Sequence, residues 1–370
     1  MNAPERRWVH TAYPQQVRVG GGQIARLRPL LKDTGARSVL VLATPNRAVS
    51  EHGQALLGGL GRTVTATLFD RAATGVPASI VQEAVRSALS AQVDTVVSFG
   101  GGSTIDLGKA VCFFLEQQAG TPGLQFTDRP AVTHIAVPTT FSTAEGSAHF
   151  AMTDPQTRQL QVTGGPTLAP RYVVVDPASV ETLPAGEVAA TGLVALLHAI
   201  DAALSPRRTP ESEAIATAAV SRTYGALLAD PAGDVEARQR LQEGAVLAGR
   251  AWQYAGSSLA HGLAQLLVGR AGAPYAQALV AVAGAVLKFN TPVLGAQLEQ
   301  VAWAIGSADL AATLEELRGE LGLTGGLSTL GVDDAIIGAV ARMSQANPHV
   351  AASQRQATEI DVAGLLEASY

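Results

Sequence analysis

Three consecutive glycines, Gly100, Gly101 and Gly102, end the apolar run Val96-Val97-Ser98-Phe99 and lead into Ser103-Thr104-Ile105-Asp106-Leu107-Gly108-Lys109. Glycines at a strand-to-helix turn reach backbone angles closed to other residues and set no side chain against a phosphate. The helix that follows offers free N–H groups and the positive end of its dipole. Ser103 is placed to cap that helix or to donate to a phosphate oxygen, and Asp106 in the first turn suits the dipole. The alternative is a tight turn with no ligand. A second apolar run, Ile135-Ala136-Val137-Pro138, ends in Thr139-Thr140, two hydroxyls that suit phosphate or ribose. A third ends in Ala43-Thr44-Pro45-Asn46-Arg47. No acid stands there to bind a ribose 2′-hydroxyl, so Thr44 and Arg47 permit a 2′-phosphate, although Arg47 reads equally as a solvated helix-start side chain. The chemistry implied is the binding of a pyrophosphate-bearing dinucleotide. No G-x-G-x-x-G spacing occurs, so the turn is not an ordinary dinucleotide fingerprint.

Up to about residue 180, short β-branched runs (17–19, 38–43, 64–69, 93–99, 134–137 and 172–175) alternate with helix-length stretches such as 22–31, 79–91 and 104–118. Continuous apolar strands separated by helices predict a parallel sheet covered on both faces. Beyond Pro184 the strands stop and alanine- and leucine-rich helical patterns continue to Tyr370, broken at Ser205-Pro206, Asp230-Pro231, 269–274 and Pro292. The reading is an α/β domain over residues 1–180 and an all-helical domain over 181–370, with ligands at the strand ends and in the interdomain cleft.

Composition bounds the rest. With 370 residues, 47% hydrophobic and 15% charged, the chain has the material for two cores. A net charge of −5 gives no basic face for nucleic acid or anionic membrane. The single cysteine, Cys112, has no partner, and a cytoplasmic setting is expected. The start, MNAPERRWVH, lacks an apolar leader region. The longest apolar stretch, residues 276–287, is short for a bilayer and is read as a core helix.

Taken in order, the glycine turn, the Pro138-Thr139-Thr140-Phe141 loop with Glu145, the segment Val174-Val175-Asp176-Pro177 with Leu183-Pro184, and a helical half carrying His198 and His261 resemble the iron-containing alcohol dehydrogenase superfamily. Leu40-Val41-Leu42-Ala43-Thr44-Pro45, Ala237-Arg238 before Gly244-Ala245-Val246-Leu247-Ala248-Gly249, and Asn347-Pro348 point within it to maleylacetate reductases. The resemblance covers nearly the whole chain. It implies a dehydroquinate synthase-like fold, NADH or NADPH across Gly100–Gly102, Ser103, Asp106, Thr139, Thr140 and Thr44, a helical domain for a small-molecule substrate, and a homodimer. Metal-binding relatives use an Asp and a His one helical turn apart plus two later His. Carried over, these positions fall on Val194, His198, His261 and Tyr275, with Gln265 where many relatives have a further His and Gln161 where they usually have Lys. Val194 has no donor atom and Tyr275 is a poor ligand for a divalent metal, so no metal is expected.

His198, His261 and Tyr275 are therefore the candidate catalytic residues. By residue type alone, His198 in a nearly all-apolar helix reads as a buried structural histidine, and Tyr275 as an interface aromatic. Read as cleft groups they supply a proton, with Lys288 or Arg250 holding a carboxylate, and replacing them should spare stability. His10, His52, His134, His149 and His349 show no ligand spacing and read as surface or loop residues, His149 least securely because it follows the threonine loop. Three functions remain open: a metal-independent NAD(P)H-dependent reductase of an oxo acid or enone, a redox-silent homologue using the cleft for cyclisation, elimination or isomerisation, or a pseudoenzyme acting as a binding module.

Overall fold

A computed structural model describes residues 8, 10, 12–121, 127–154, 156–157 and 160–370; the opening segment read for a leader lies largely outside them. Six strands, β1 (Gln16–Val19), β2 (Ser38–Leu42), β3 (Thr65–Phe69), β4 (Thr95–Gly100), β5 (Thr133–Pro138) and β8 (Tyr172–Val175), form one wholly parallel sheet in the order β1-β8-β5-β4-β2-β3. Helices α1 (Leu27–Thr34), α2 (Pro45–Val49), α3 (Glu51–Gly59), α4 (Ala78–Ser90) and α5 (Gly102–Gln118) cover it. Val39, Val41, Val97, Phe99 and Ile135 bury one face; Leu40, Leu42 and Val96 bury the other. Burial on both sides is why these strands read as unbroken apolar runs. From β2 the chain passes to edge strand β3 and returns to β4 on the other side of β2. The crevice at the carboxyl ends of β2 and β4 is thus the sheet's switch point, where open α/β sheets bind ligands.

Strands β6 (His149–Thr153) and β7 (Leu160–Gly164) form an antiparallel hairpin that the sequence reading missed. Neither is a run of β-branched residues. Their pairing depends on α5, whose Asp106 accepts from the Ala151 N–H at 3.3 Å.

The second half is helical: α6 (Ala185–Leu204), α7 (Pro210–Leu228), α8 (Val235–Ala255), α9 (Leu259–Ala271), α10 (Tyr275–Leu294), α11 (Ala296–Trp303), α12 (Leu310–Glu320), α13 (Asp334–Ser344), α14 (Pro348–Ala351) and α15 (Glu359–Glu367). Helix α6 is apolar on every side because it runs through the middle, buried from Val188 to Leu204 with few gaps. By length and composition α6 and α10 would each suit a membrane, but most of α6 is packed inside the protein. Pro292, expected to break a helix, lies inside α10. Its missing N–H leaves the Lys288 carbonyl without a helical partner, but only two residues of α10 follow, so the body of the helix is unaffected.

The halves touch through bare backbone. A Cβ on Gly249 of α8 would meet the Thr143 carbonyl oxygen at 2.2 Å, and one on Gly146 would meet the Arg250 nitrogen at 2.7 Å. Glycine at both positions lets α8 rest directly on the loop that leaves β5. This gives Gly249, noted in the sequence by resemblance, a physical reason.

Candidate functional site

The glycine turn stands at the switch point. Gly101 caps α5 through its backbone, with no side-chain cap. Thr104 N–H donates to the Gly101 oxygen at 3.0 Å, and Thr139 N–H to the Gly100 oxygen at 3.0 Å, tying the ends of β4 and β5 together. A Cβ on Gly101 would meet Thr140 Cγ2 at 2.9 Å, and one on Gly102 would meet Ser142 Oγ at 3.1 Å. The hydroxyls of Thr140 and Ser142 are both buried without a hydrogen-bond partner among the described residues. The Gly102 and Ser103 N–H groups, at the start of α5, have no intrahelical acceptor. Free amides and orphaned hydroxyls on one small-residue turn are groups able to donate to an anion.

Two expectations for this turn need correction. Ser103 does not cap α5; its hydroxyl accepts from Gly75 N–H, in the loop after β3, at 3.3 Å. Asp106 lies beyond the first turn, which holds no acid. It is committed inward to Lys109 Nζ at 3.1 Å, and Lys109 in turn donates to Ser147 Oγ at 3.0 Å and the His149 oxygen at 2.6 Å. Burial raises Asp106 and lowers Lys109, and their mutual attraction opposes both shifts. The pair anchors the β6–β7 hairpin to α5. Thr44 stands at the end of β2 and caps α2 by accepting from Arg47 N–H at 3.4 Å, while Arg47 Nη1 donates to Thr182 at 2.9 Å.

Three residues past the orphaned hydroxyl of Thr140, the same loop reaches the helical half. Thr143 is held at φ 69°, and its hydroxyl hydrogen-bonds His198 Nδ1 at 2.8 Å. His198 Nε2 lies 2.8 Å from the Tyr275 hydroxyl, which lies 2.6 Å from His261 Nδ1. One phenol oxygen thus joins two imidazoles from α6 and α9. Trp252 of α8 stacks on His198 with centroids 5.4 Å apart, and His349 stands edge-on to His261 at 4.9 Å. One turn along α6, Asp201 accepts from Ser258 N–H at 3.0 Å and from the Ser258 hydroxyl. Because Ser258 precedes α9, this carboxylate fixes the start of the helix that carries His261.

Burial sets the protonation of the cluster. It pushes His198, His149 and His349 down to about 4, and His261 well below the ordinary imidazole value. Burial, then the charges of Asp201 and Asp106, hold Tyr275 well above 10. Asp201 is raised to about 6 and Glu145 to about 7, again by burial. At neutral pH every imidazole here is uncharged, one nitrogen donating and the other accepting. A stability consequence follows. Groups whose folded value lies below the unfolded 6.5 bind fewer protons folded than unfolded between the two values, so acid favours unfolding there. The raised carboxyls act oppositely but are fewer. The melting temperature should therefore fall steadily as pH drops from 6.5 towards 4, measured by scanning fluorimetry; a flat profile would show that the imidazoles take up protons in place.

The family model described as iron-containing alcohol dehydrogenase matches residues 14–177, and that for the Fe-containing alcohol dehydrogenase family, C-terminal, matches residues 188–370. The chain belongs to the iron-containing alcohol dehydrogenase family. It is similar to a maleylacetate reductase of Sphingobium indicum, 31% identical over 364 residues, covering 97% of this chain and 96% of that one. A lactaldehyde reductase of Escherichia coli is 25% identical over 320 residues, covering 82% and 84%. Among solved structures, maleylacetate reductase from Agrobacterium tumefaciens superposes with a TM-score of 0.85 at 26% identity, covering 99% of each chain. Membership makes this chain an oxidoreductase.

His198, His261 and Tyr275, named from the sequence, do meet. Val194, which the resemblance equates with an acidic metal ligand, is 2% exposed and belongs to the apolar core with Leu259 and Leu263. Lys288 is exposed on α10, about 20 Å along the helix from Tyr275 at 1.5 Å per residue. Arg250 lies against Gly146 at the domain contact, and Gln161 is exposed on β7. His134, expected at the surface, is buried on β5 and bonds Ser98 at 2.9 Å; His10 bonds Thr209 at 3.0 Å and packs on Tyr254. Sequence reasoning missed Thr143, Asp201, Trp252 and His349. Asp201 was within reach, three residues after His198 on one helix face. Trp252 and His349 carried no local signal. Since His261 is only 7% exposed, the expectation that its loss would spare stability is also withdrawn.

Proposed function

We propose that this protein is a metal-independent NAD(P)H-dependent reductase of a small oxo acid or enone, of the maleylacetate-reductase type, with Tyr275 as the proton source. The observation that carries it is the Tyr275 hydroxyl bonded to both His198 Nε2 and His261 Nδ1. His198 Nε2 and His261 Nδ1 are both engaged by one phenol, the first as donor to its oxygen and the second as acceptor of its proton, and Val194 contributes no donor. A catalytic metal needs about three protein ligands, so this donor set does not fit one.

The dinucleotide, by contrast, fits. The α5 amides with Thr140 and Ser142 would hold its pyrophosphate, and Thr44 and Arg47, at the end of β2, would bind its adenosine ribose; when bound, the nicotinamide supplies a hydride. The residues then manage the proton. His261 has Nε2 as its only uncommitted ring nitrogen. Donation from Nε2–H to the basic oxygen or carbon left by hydride addition is balanced by transfer of the Tyr275 proton to Nδ1. The resulting phenolate accepts N–H bonds from His261 Nδ1 and His198 Nε2, a strong charge-assisted pair in a dry site. Thr143, donating to His198 Nδ1, fixes the tautomer that makes this possible. Tyr275 is reloaded from solvent when product leaves.

Titration of NADH and NADPH followed by nicotinamide fluorescence tests the reading, with micromolar binding of at least one as the expected result. Absence of binding to either would leave the cleft's acid–base chemistry without its hydride donor and favour a redox-silent enzyme. Elemental analysis should find far less than one zinc or iron per chain, and chelation should leave turnover unchanged. One metal per chain, lost together with activity on chelation, would refute metal independence. A reducing cytoplasm and a homodimer remain part of the proposal, the latter checked by light scattering.

A further inference from the structure

Three ring nitrogens around one tryptophan are buried without a hydrogen-bond partner among the described residues: Trp252 Nε1, His261 Nε2 and His149 Nδ1. Their rings adjoin, with centroids 5.0 Å apart for Trp252 and His261 and 5.8 Å for His149 and Trp252. The neighbouring His198 has both nitrogens bonded, so the deficit is confined to this face of the cluster. A buried donor left unpaired is expensive, and three side by side ask for a ligand rather than for chance. The indole N–H only donates, so whatever meets it must bring an acceptor. The local charge favours an anion. The Arg207 guanidinium, which donates to the Ser257 oxygen at 3.4 Å, is among the charges that lower His149, His349 and Asp201. No carboxylate pairs with it among the described residues. The two acids nearby offer little opposition: Asp201 spends both oxygens on Ser258, and Glu145 is buried and raised to about 7.

We propose that Trp252 Nε1–H and His149 Nδ1–H together bind a carboxylate of the substrate. With the proton-delivering Nε2 of His261 one ring away, that carboxylate lies within a few bonds of the carbon that accepts hydride. The inference rests on the reductase reading and sharpens it: the substrate is an oxo acid, not a neutral aldehyde or ketone. The cleft selects it by indole and imidazole donors, with Arg207 as the long-range attraction.

Calorimetric titration of the full-length protein with maleate, and with dimethyl maleate as its uncharged counterpart, tests this without nucleotide or turnover. Maleate should bind and the ester should not. Trp252→Phe, which keeps an aromatic ring on His198 and removes the N–H, should weaken maleate at least tenfold with its melting temperature retained. Should that variant fail to fold, His149→Phe serves the same purpose with the same expected loss. Unchanged maleate affinity in a folded variant, equal binding of acid and ester, or no maleate binding at millimolar concentration would each overturn the carboxylate site. Failure of the reductase reading would show instead as an absence of nucleotide binding, and would leave the maleate result standing.

Discussion

Tyr275→Phe should lower turnover per folded molecule by about a hundredfold or more, the scale of losing a positioned acid, while leaving NADPH affinity unchanged. The substitution removes one oxygen and keeps the ring. That oxygen is the shared partner of His198 Nε2 at 2.8 Å and His261 Nδ1 at 2.6 Å, so both imidazoles lose their link to a transferable proton. Stability should also fall, by about 1–3 kcal/mol, because two buried nitrogens are left without their acceptor or donor. The glycine turn belongs to the other half of the chain, and its ligand should bind as before. A melting curve, a nucleotide titration and a turnover measurement on one preparation separate the effects. Lost stability with undiminished turnover would make the cluster a structural polar network and sink the relay. His261→Ala should match the turnover loss and cost more stability, since it also empties a buried volume.

Gly101→Val should weaken NADH and NADPH binding by about a hundredfold, with the helical half still folded. Gly101 has φ −79° and ψ −168°, an extended conformation that a β-branched residue accepts, so backbone strain is not the cause. The cause is space. The new Cβ would stand 2.9 Å from Thr140 Cγ2 and 3.0 Å from Thr140 Oγ1, and would drive away one of the two orphaned hydroxyls while intruding on the phosphate path. Overpacking of this kind costs about 1–3 kcal/mol of stability. Fluorescence titration of nucleotide, with melting temperature as the control for folding, decides it. Unaltered affinity in a folded Gly101→Val protein would reduce the turn to a structural connection.

Much was legible in the chain because it is written in local periodicity. Six β-branched runs became the six parallel strands; the four inner ones, β2, β4, β5 and β8, are strongly apolar because both faces are buried, whereas the edge strands β1 and β3 are largely exposed. The glycine turn was legible because few other residues follow a strand so tightly. The β6–β7 hairpin was not, because its pairing is fixed from outside by Asp106 and Lys109 rather than by its own residues. The same two residues show the limit of motif reading. Asp106 matches a cofactor-motif position, yet its oxygens go to Lys109 and Ala151.

By itself the sequence determined the six parallel strands and the helical second half, the glycine turn between β4 and α5, and two histidines and a tyrosine at positions that the resemblance equates with metal ligands. It could state that Val194 donates nothing, because that depends on residue type alone. Only the tertiary structure decided which side chains meet around those positions. A hydrogen bond between residues 77 positions apart, His198 to Tyr275, exists only when α6 and α10 pack, and the phenol's place between two imidazoles is a distance that no spacing encodes. The same holds for Trp252, whose N–H gains its meaning from rings contributed by α9 and β6. Polar partnerships across helices depend on angstrom-scale packing, whereas the elements that bring them together need only the right pattern of apolar residues.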